Sequence, residues 1–214
     1  MTTRVVKQGE HICRIAREAG LADWRTVWHD GQNAELRAKR RNPNILAPGD
    51  SVFVPDPQAR IEKRPTGRCH RFRRKTAELR IRLVLRDIQF RPVRDKACTL
   101  QVDGKKTRLT SDASGVVEVA IHPAAERGRL LVDDPRLPSV VEFEIGKLDP
   151  IDTVTGQKAR LGNLGYFAGA IDRSDTPLFR SAVEEFQLEH LGRAEVDGQC
   201  GPKTQAKLQQ VHGC

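Results

Sequence analysis

The stretch NPNILAPGDSVFVPDP, Asn42 to Pro57, sets the scale on which this chain can fold. Four prolines, two asparagines and a glycine surround one short apolar run. Proline fixes φ and removes a backbone donor, while asparagine and glycine accept turn conformations, so the stretch reads as a turn, a strand and a stop. The 214 residues are 38% hydrophobic and 5% aromatic, which leaves little apolar material for any one core. A chain of this length holds one large domain or two to three small ones, and these values favour small modules with thin cores.

The N-terminus, MTTRVVKQGEH, has no apolar signal-peptide core, and no uninterrupted apolar run approaches the roughly 20 residues that span a bilayer. The expectation is synthesis in the cytoplasm with no membrane insertion, so that any action outside the cell needs a route other than general export. The net charge of +9 and pI of about 9.7 suit an anionic partner (nucleic acid, an anionic membrane surface or a wall polymer) or simply an arginine-rich solvated surface. Five cysteines without close pairing argue against a disulfide framework, although Cys200 and Cys214 flank a predicted helix and would pair in an oxidising space. Neither Cys69-His70 nor His212-Gly213-Cys214 has the repeated CxxC spacing of a structural zinc site, so no metal or cofactor is expected.

The first segment, residues 1–57, predicts strand, helix, helix, strand. Arg4–Val6 enters a turn at Gly9, and Ile12, Ile15, Ala16 and Ala19 follow at helical spacing up to Gly20. Trp24, Val27, Trp28 and Leu36 mark a second helix, interrupted near Gly31, and SVFVP closes the segment as a strand. The order resembles the LysM domain, a βααβ carbohydrate-binding module, on Val5–Gly9-Glu10, Ile15-Ala16, Gly20, Trp24, Asn42-Pro43-Asn44, Leu46, Pro48-Gly49-Asp50 and Val52–Pro55. The resemblance implies binding of N-acetylglucosamine glycans in a shallow groove between two loops, here Gly9, Glu10, His11 and Ile12, and Asn42, Pro43, Asn44, Ile45 and Leu46. Pro43 and Pro48 would stiffen the second loop and limit the entropy lost on binding. One departure is Glu10-His11-Ile12 where the family usually has Asp-Thr-Leu, so a threonine hydroxyl is absent. The alternative is a module of the same fold used for protein contact.

Residues 58–75 form a basic linker with eight Lys/Arg and a single acid, Glu62. It reads as a solvated connector or as a tether for an anion; Phe72 alone gives thin support for nucleic acid, which is not expected as a partner. Residues 76–147 predict six short strands with Asp-Gly and Ser-Gly turns, an antiparallel β-sandwich. The stretch LQVDGKKTRLTSDASGVVEVAIHP resembles prealbumin-like or carboxypeptidase-regulatory-like β domains, which implies a spacer or docking unit. Asp103, Asp112, Asp133 and Asp134 sit at turns, with calcium at Asp133-Asp134 as an open alternative.

Residues 148–214 predict a small three-helix bundle: a helix capped at Thr153 or Thr155 with a Val154, Ala159, Leu161, Leu164 face; a second from Pro177 with a Leu178, Ala182, Val183, Phe186 stripe; and a third from Pro202. The segment resembles the peptidoglycan-binding domain found beside wall hydrolases, on Gly156, Gln157, Leu161, Leu164-Gly165-Tyr166, Gly169, Ile171-Asp172, Ala182-Val183, Phe186-Gln187, Asp197-Gly198, Gly201-Pro202, Thr204 and Leu208. Tyr166 and Phe167 are the candidate wall contacts, with Asp172, Asp197 and Gly198 beside them; for Tyr166 a place at the core edge is the alternative.

The fold class is therefore multidomain α+β. Six histidines are scattered over different segments, and HExxH, GxSxG and local Cys/His signatures are absent from the sequence, so no catalytic residues are expected. The expected function is non-catalytic peptidoglycan binding by two end modules around a β spacer. The layout is similar to accessory proteins of contractile injection machines such as type VI secretion spikes or phage-like tails, which implies a spike or tail protein as partner, contractile delivery and action in the periplasm or at the wall. An adaptor that docks on a spike without sugar, and a wall hydrolase with an unrecognised site, stay open as alternatives.

Overall fold

The computed structural model describes residues 2–58, 61, 63–72, 78–135 and 137–214. The N-terminal module runs β1 (Thr2–Val5), α1 (Ile12–Glu18), α2 (Arg25–Trp28), α3 (Ala34–Arg40) and β2 (Ser51–Val54). β1 and β2 pair antiparallel, with Thr2 opposite Val54 and Val5 opposite Ser51. Val6, Ile12, Ile15, Val27, Trp28, Leu36, Leu46 and Val52 form its core. The predicted interruption near Gly31 is a 3-10 turn, Gly31–Asn33, and Asn33 is the reason the chain breaks there. Its buried amide donates to the carbonyls of Val27 and Phe53 at 2.8 Å each and accepts from the Phe53 N–H at 2.8 Å, tying the helix break to β2. Asp50 plays the corresponding part in the Pro-Gly-Asp turn. It accepts from Arg40 at 2.6 and 2.9 Å and from the Ala47 N–H at 2.8 Å. Burial alone would raise its pKa; the Arg40 hydrogen bonds carry it below the usual value.

The middle module has the six expected strands: β3 (Leu79–Val84), β4 (Ala97–Val102), β5 (Lys105–Thr110), β6 (Val116–Ile121), β7 (Arg127–Val132) and β8 (Val140–Glu144). They form two antiparallel sheets, β3-β6 and β5-β4-β7-β8. Leu85, Val93 and Val117 share one buried cluster with Cys98, Leu100, Leu130 and Val132, so the two sheets have a common core. Asp103 and Gly104, at φ 48° and 77°, close the β4–β5 hairpin in the way an Asp-Gly pair predicts. The Ser114-Gly115 turn does something else: it hands the chain to the other sheet, where β6 pairs with β3. A methyl group at Gly115 would lie 2.4 Å from the Leu85 carbonyl oxygen, so only glycine fits this crossing. Asp134 is buried and paired with Lys96 at 3.2 Å, a cationic partner where a calcium site would want acids. Of the linker, the described residues between 58 and 72 are exposed and lie outside helices and strands; 59, 60, 62 and 73–75 fall outside the described residues.

The C-terminal module contains α4 (Val154–Asn163), α5 (Pro177–His190) and α6 (Pro202–His212). Thr153 is the cap of α4, accepting from the Gly156 N–H at 3.0 Å. Leu161, Phe179, Val183, Phe186 and Leu208 fill the core. One predicted face needs correction: on α5 it is Phe179 that is buried, while Leu178 is exposed. On α4 the predicted Leu161 is buried and Val154 and Leu164 pack against the same core, but Gly156, Gln157, Lys158 and Arg160 are buried as well, which the sequence did not signal. Lys and Arg read as solvent-facing by default; here each finds internal acceptors.

The buried Gln187 amide holds the turn between α5 and α6. It donates to Asp197 Oδ1 at 2.7 Å and to Gln199 O and Thr204 Oγ1 at 3.0 Å each, and accepts from the N–H groups of Asp197 and Gly198 at 3.0 and 3.1 Å. Replacing Gln187 by Leu keeps the volume and strands those two N–H groups. The expected loss is about 3 kcal/mol of stability, measured by urea unfolding against wild type.

Candidate functional site

The two N-terminal loops predicted to flank a groove do meet. The Ile12 N–H donates to the Pro43 carbonyl at 3.0 Å, and the Cys13 thiol donates to Asn44 Oδ1 at 3.5 Å. Their side chains, however, face inward. Ile12 and Leu46 belong to the module core, and His11 and Ile45 are also buried. Glu10 is committed to Arg4 and to the Lys7 N–H, the latter at 2.9 Å. Asn44 is exposed, and Asn42, Pro43 and Gly9 are half-buried. The Asn42 side chain accepts from the Asn44 N–H at 2.9 Å, a local turn bond that holds the loop in shape.

The middle module lies against this surface. His11 Nε2 is 3.1 Å from the Pro123 carbonyl oxygen, and Arg14 pairs with Glu126 at 3.0 Å. A methyl at Gly146 would sit 3.2 Å from the Gly9 carbonyl oxygen and 3.6 Å from the His11 ring. Burial lowers the His11 pKa below the ordinary histidine value, against the pull of the Pro123 carbonyl. Its Nδ1 is buried without a hydrogen-bond partner. Elsewhere on this module a cleft of about 360 Å³ opens between α3 and the sheet, lined by Thr3, Gln32, Glu35, Lys39, Ser51 and Phe53 among others.

In the C-terminal module the loop after α4 carries the predicted aromatic pair, and the structure separates its two members. Tyr166 is only 5% exposed. Its hydroxyl donates to Glu189 at 2.7 Å and lies 3.0 Å from His190 Nε2. Its ring stacks on Phe90 of the middle module at 5.8 Å and meets Phe186 edge-on at 5.6 Å. Burial, then the Glu189 bond, raises its pKa above the usual phenol value. Tyr166 is thus a core and inter-module residue, and its assignment as a surface contact is corrected. Phe167 is 74% exposed, and Ile171 and Leu178 are 65% and 51% exposed. The Leu178 side chain comes within reach of Gly169, so the loop and the first turn of α5 adjoin.

Lys158 sets that loop. Its ammonium is buried, donates to the Ala170 carbonyl at 3.1 Å and to Asp172 at 2.7 Å, and sits 5.7 Å from the Phe179 ring centroid. Asp172 is thereby a loop anchor; the Lys158 hydrogen bond, then the Ser174 N–H, holds its pKa below the usual carboxylate range. Asp197 and Gly198 belong to the Gln187 network, with Gly198 at φ 69°. Their spacing signalled a turn, and a turn is what they build. The buried Lys158 had no legible signal, because nothing in the sequence distinguishes it from a solvated lysine.

At the end of α6, His212 Nδ1 lies 3.0 Å from the Cys214 sulfur, and His212 Nε2 lies 3.0 Å from Asn163. Burial lowers the His212 pKa to about 4 and raises those of Cys214 and Cys200, the latter to about 12. Both partners are neutral near pH 7, which leaves the thiol unactivated. All five cysteines are unpaired, and among the described residues no group of three His, Cys, Asp or Glu is placed to hold a metal.

Residues 152–208 match the family model described as "Putative peptidoglycan binding domain". The match covers about a quarter of the chain, coincides with the three-helix module, and points to peptidoglycan as the class of partner. No curated protein and no solved structure matches the chain.

The Lys158–Asp172 pair predicts a pH dependence of the loop. Because the folded pKa of Asp172 is depressed, the pair stabilises the loop above the unfolded carboxylate value near 4, and that contribution is lost as pH falls through the folded pKa. Amide hydrogen exchange across residues 166–176 is expected to stay slow down to about pH 4 and to quicken below it, relative to α5. Asp172→Asn is expected to exchange faster at neutral pH and to lose this acid step.

Proposed function

We propose that the chain is a non-catalytic peptidoglycan-binding protein whose wall contact is the α4–α5 loop of the C-terminal module. The observation that carries this reading is the exposed apolar trio Phe167, Ile171 and Leu178 inside the segment matched by the peptidoglycan-binding family model. An exposed ring beside polar loop groups suits an amino sugar, which offers an apolar ring face and amide hydrogen-bonding groups. The loop is held by the buried Lys158, so little ordering entropy is lost when it binds.

The N-terminal module supplies a second glycan-binding element on this reading, by its resemblance to LysM and its strand–helix–helix–strand order. The burial of His11 against the middle module favours a competing reading of the same loops, as a protein-contact surface. Docking of the β module on a spike or tail protein, with contractile delivery to the periplasm, is the route we propose for a chain whose described helices include none long and apolar enough to cross a membrane.

Co-sedimentation with washed sacculi tests the main reading. Wild type is expected to be retained at a salt concentration that releases a cationic control protein, since exposed charge attraction is screened. Phe167→Ala is expected to lower affinity about tenfold, equivalent to about 1.4 kcal/mol, with unchanged unfolding midpoint. A fall in turbidity of the sacculi would favour a hydrolase, and retention unchanged in Phe167→Ala would remove the loop from the contact.

A further inference from the structure

We infer that the N-terminal loop pair is a shielded glycan site: the middle module's segment Pro123–Glu126 and the turn at Gly146 occupy the surface a sugar chain would use, and that site opens when this joint parts. The inference rests on the glycan reading of the N-terminal module and adds its regulation.

Several contacts from the middle module and the stretch that follows it meet these loops and the residues around them. The connection before β7 brings the Pro123 carbonyl to His11 and Glu126 to Arg14. The turn after β8 brings Gly146 against the Gly9 carbonyl, closely enough that a single added methyl would crowd it. Beyond that turn Asp149 accepts from Gln8 at 3.2 Å, and Asp152 lies 3.5 Å from Arg40. A main-chain carbonyl on His11 and backbone packed on Gly9 are interactions that a glycan's amide and hydroxyl groups would replace. The joint that covers them is polar and held in part by surface ion pairs. Such an interface is of the class that opens and closes rather than the class that is fixed.

The shield is thus an intramolecular competitor, and it lowers apparent glycan affinity by the fraction of molecules in which the joint is closed. Glu126 is exposed, so reversing its charge leaves each module's core untouched and sets two like charges against each other across the joint. The test is a titration of the full chain with the N-acetylglucosamine tetramer, read from NMR shifts of the amides of residues 9–12, 42 and 44–46. Glu126→Arg is expected to bind about two- to fivefold more tightly than wild type, the range an ion pair of this exposure spans. The swap Arg14→Glu with Glu126→Arg restores the pair and is expected to return the affinity to wild type.

Equal and measurable affinities in wild type and Glu126→Arg overturn the shielding while leaving the glycan reading in place. Unperturbed amides in Glu126→Arg, with hydrogen exchange at Gly9–Ile12 faster than in wild type, show an open joint and no sugar, and overturn both. Exchange unchanged in Glu126→Arg shows that the pair does not hold the joint, and overturns the inference. Sacculus retention through Phe167 is a separate readout, so the C-terminal contact stands or falls independently.

Discussion

An arginine with no exposed surface must find an acceptor for its donors inside the protein, and Arg160 finds them in main-chain carbonyls. Its guanidinium donates to Asp149 O at 2.9 Å, Gly156 O at 2.8 Å and Cys214 O at 2.9 Å. Two stretches outside α4, the segment at Asp149 and the end of the chain at Cys214, are thereby pinned to it. The approach is close enough that a methyl at Gly156 would lie 2.1 Å from the Pro150 carbonyl oxygen, so glycine is required at that helical position. The Gln157 amide adds a bond to Ile151 O at 2.9 Å. The connection between the middle and C-terminal modules is therefore built into the packing of α4 and does not hang as a tether. Because the same residues, 146–152, also touch Gly9, Gln8 and Arg40, the geometry of all three modules passes through this short stretch.

Polar anchors of this kind recur because the cores are thin. Asn33, Asp50, Lys158, Arg160 and Gln187 are all buried, and each has internal hydrogen-bond partners. A small apolar core cannot specify loop geometry by packing alone, whereas a satisfied buried polar group accepts few alternative arrangements. Asp50 explains the opening Pro-Gly-Asp turn, Gln187 the Asp-Gly turn before α6, and Lys158 the loop that presents Phe167. The cost of each anchor is the same: removing one partner leaves the other buried and unpaired, so such positions tolerate substitution poorly.

What local chemistry encodes was legible. The Asp103-Gly104 hairpin, the Thr153 cap, Pro177 and Pro202 at helix starts and the break near Gly31 each follow from one or two residues and their φ preferences. The count of six strands followed from alternation. Their pairing did not, because β6 joins β3 across a crossing that depends on the Leu85 carbonyl approaching Gly115, a contact between residues 30 apart. The reversal of Leu178 and Phe179 has a similar cause: both fit a helical stripe that starts at Pro177, and only the docking of α4 selects the aromatic one. The exposure of Phe167 agrees with an aromatic that follows a helix-ending Gly165. For Tyr166 the core-edge alternative is the one the structure shows, with Phe186 of its own module on one side; its contact with Phe90, held at φ 59° in a turn of the middle module, had no local signal.

The arrangement also bears on what the two end modules of the chain can do together. Joined by a free linker, each module would sample the polymer independently, and apparent affinity would follow effective concentration. Here the N-terminal module is docked on the middle one through His11 and Arg14, and the C-terminal module is docked through Phe90 and Tyr166. On the proposed reading, a wall contact through Phe167 would not require the N-terminal loops, and opening the joint would add a second contact to a chain already held at the polymer, where the local glycan concentration is high. Most of the excess positive charge lies in residues 58–75, eight Lys/Arg against Glu62. On the proposed reading, long-range attraction to an anionic wall would be carried by this stretch and short-range contact by the loop at Phe167, and salt would act on the first far more than on the second.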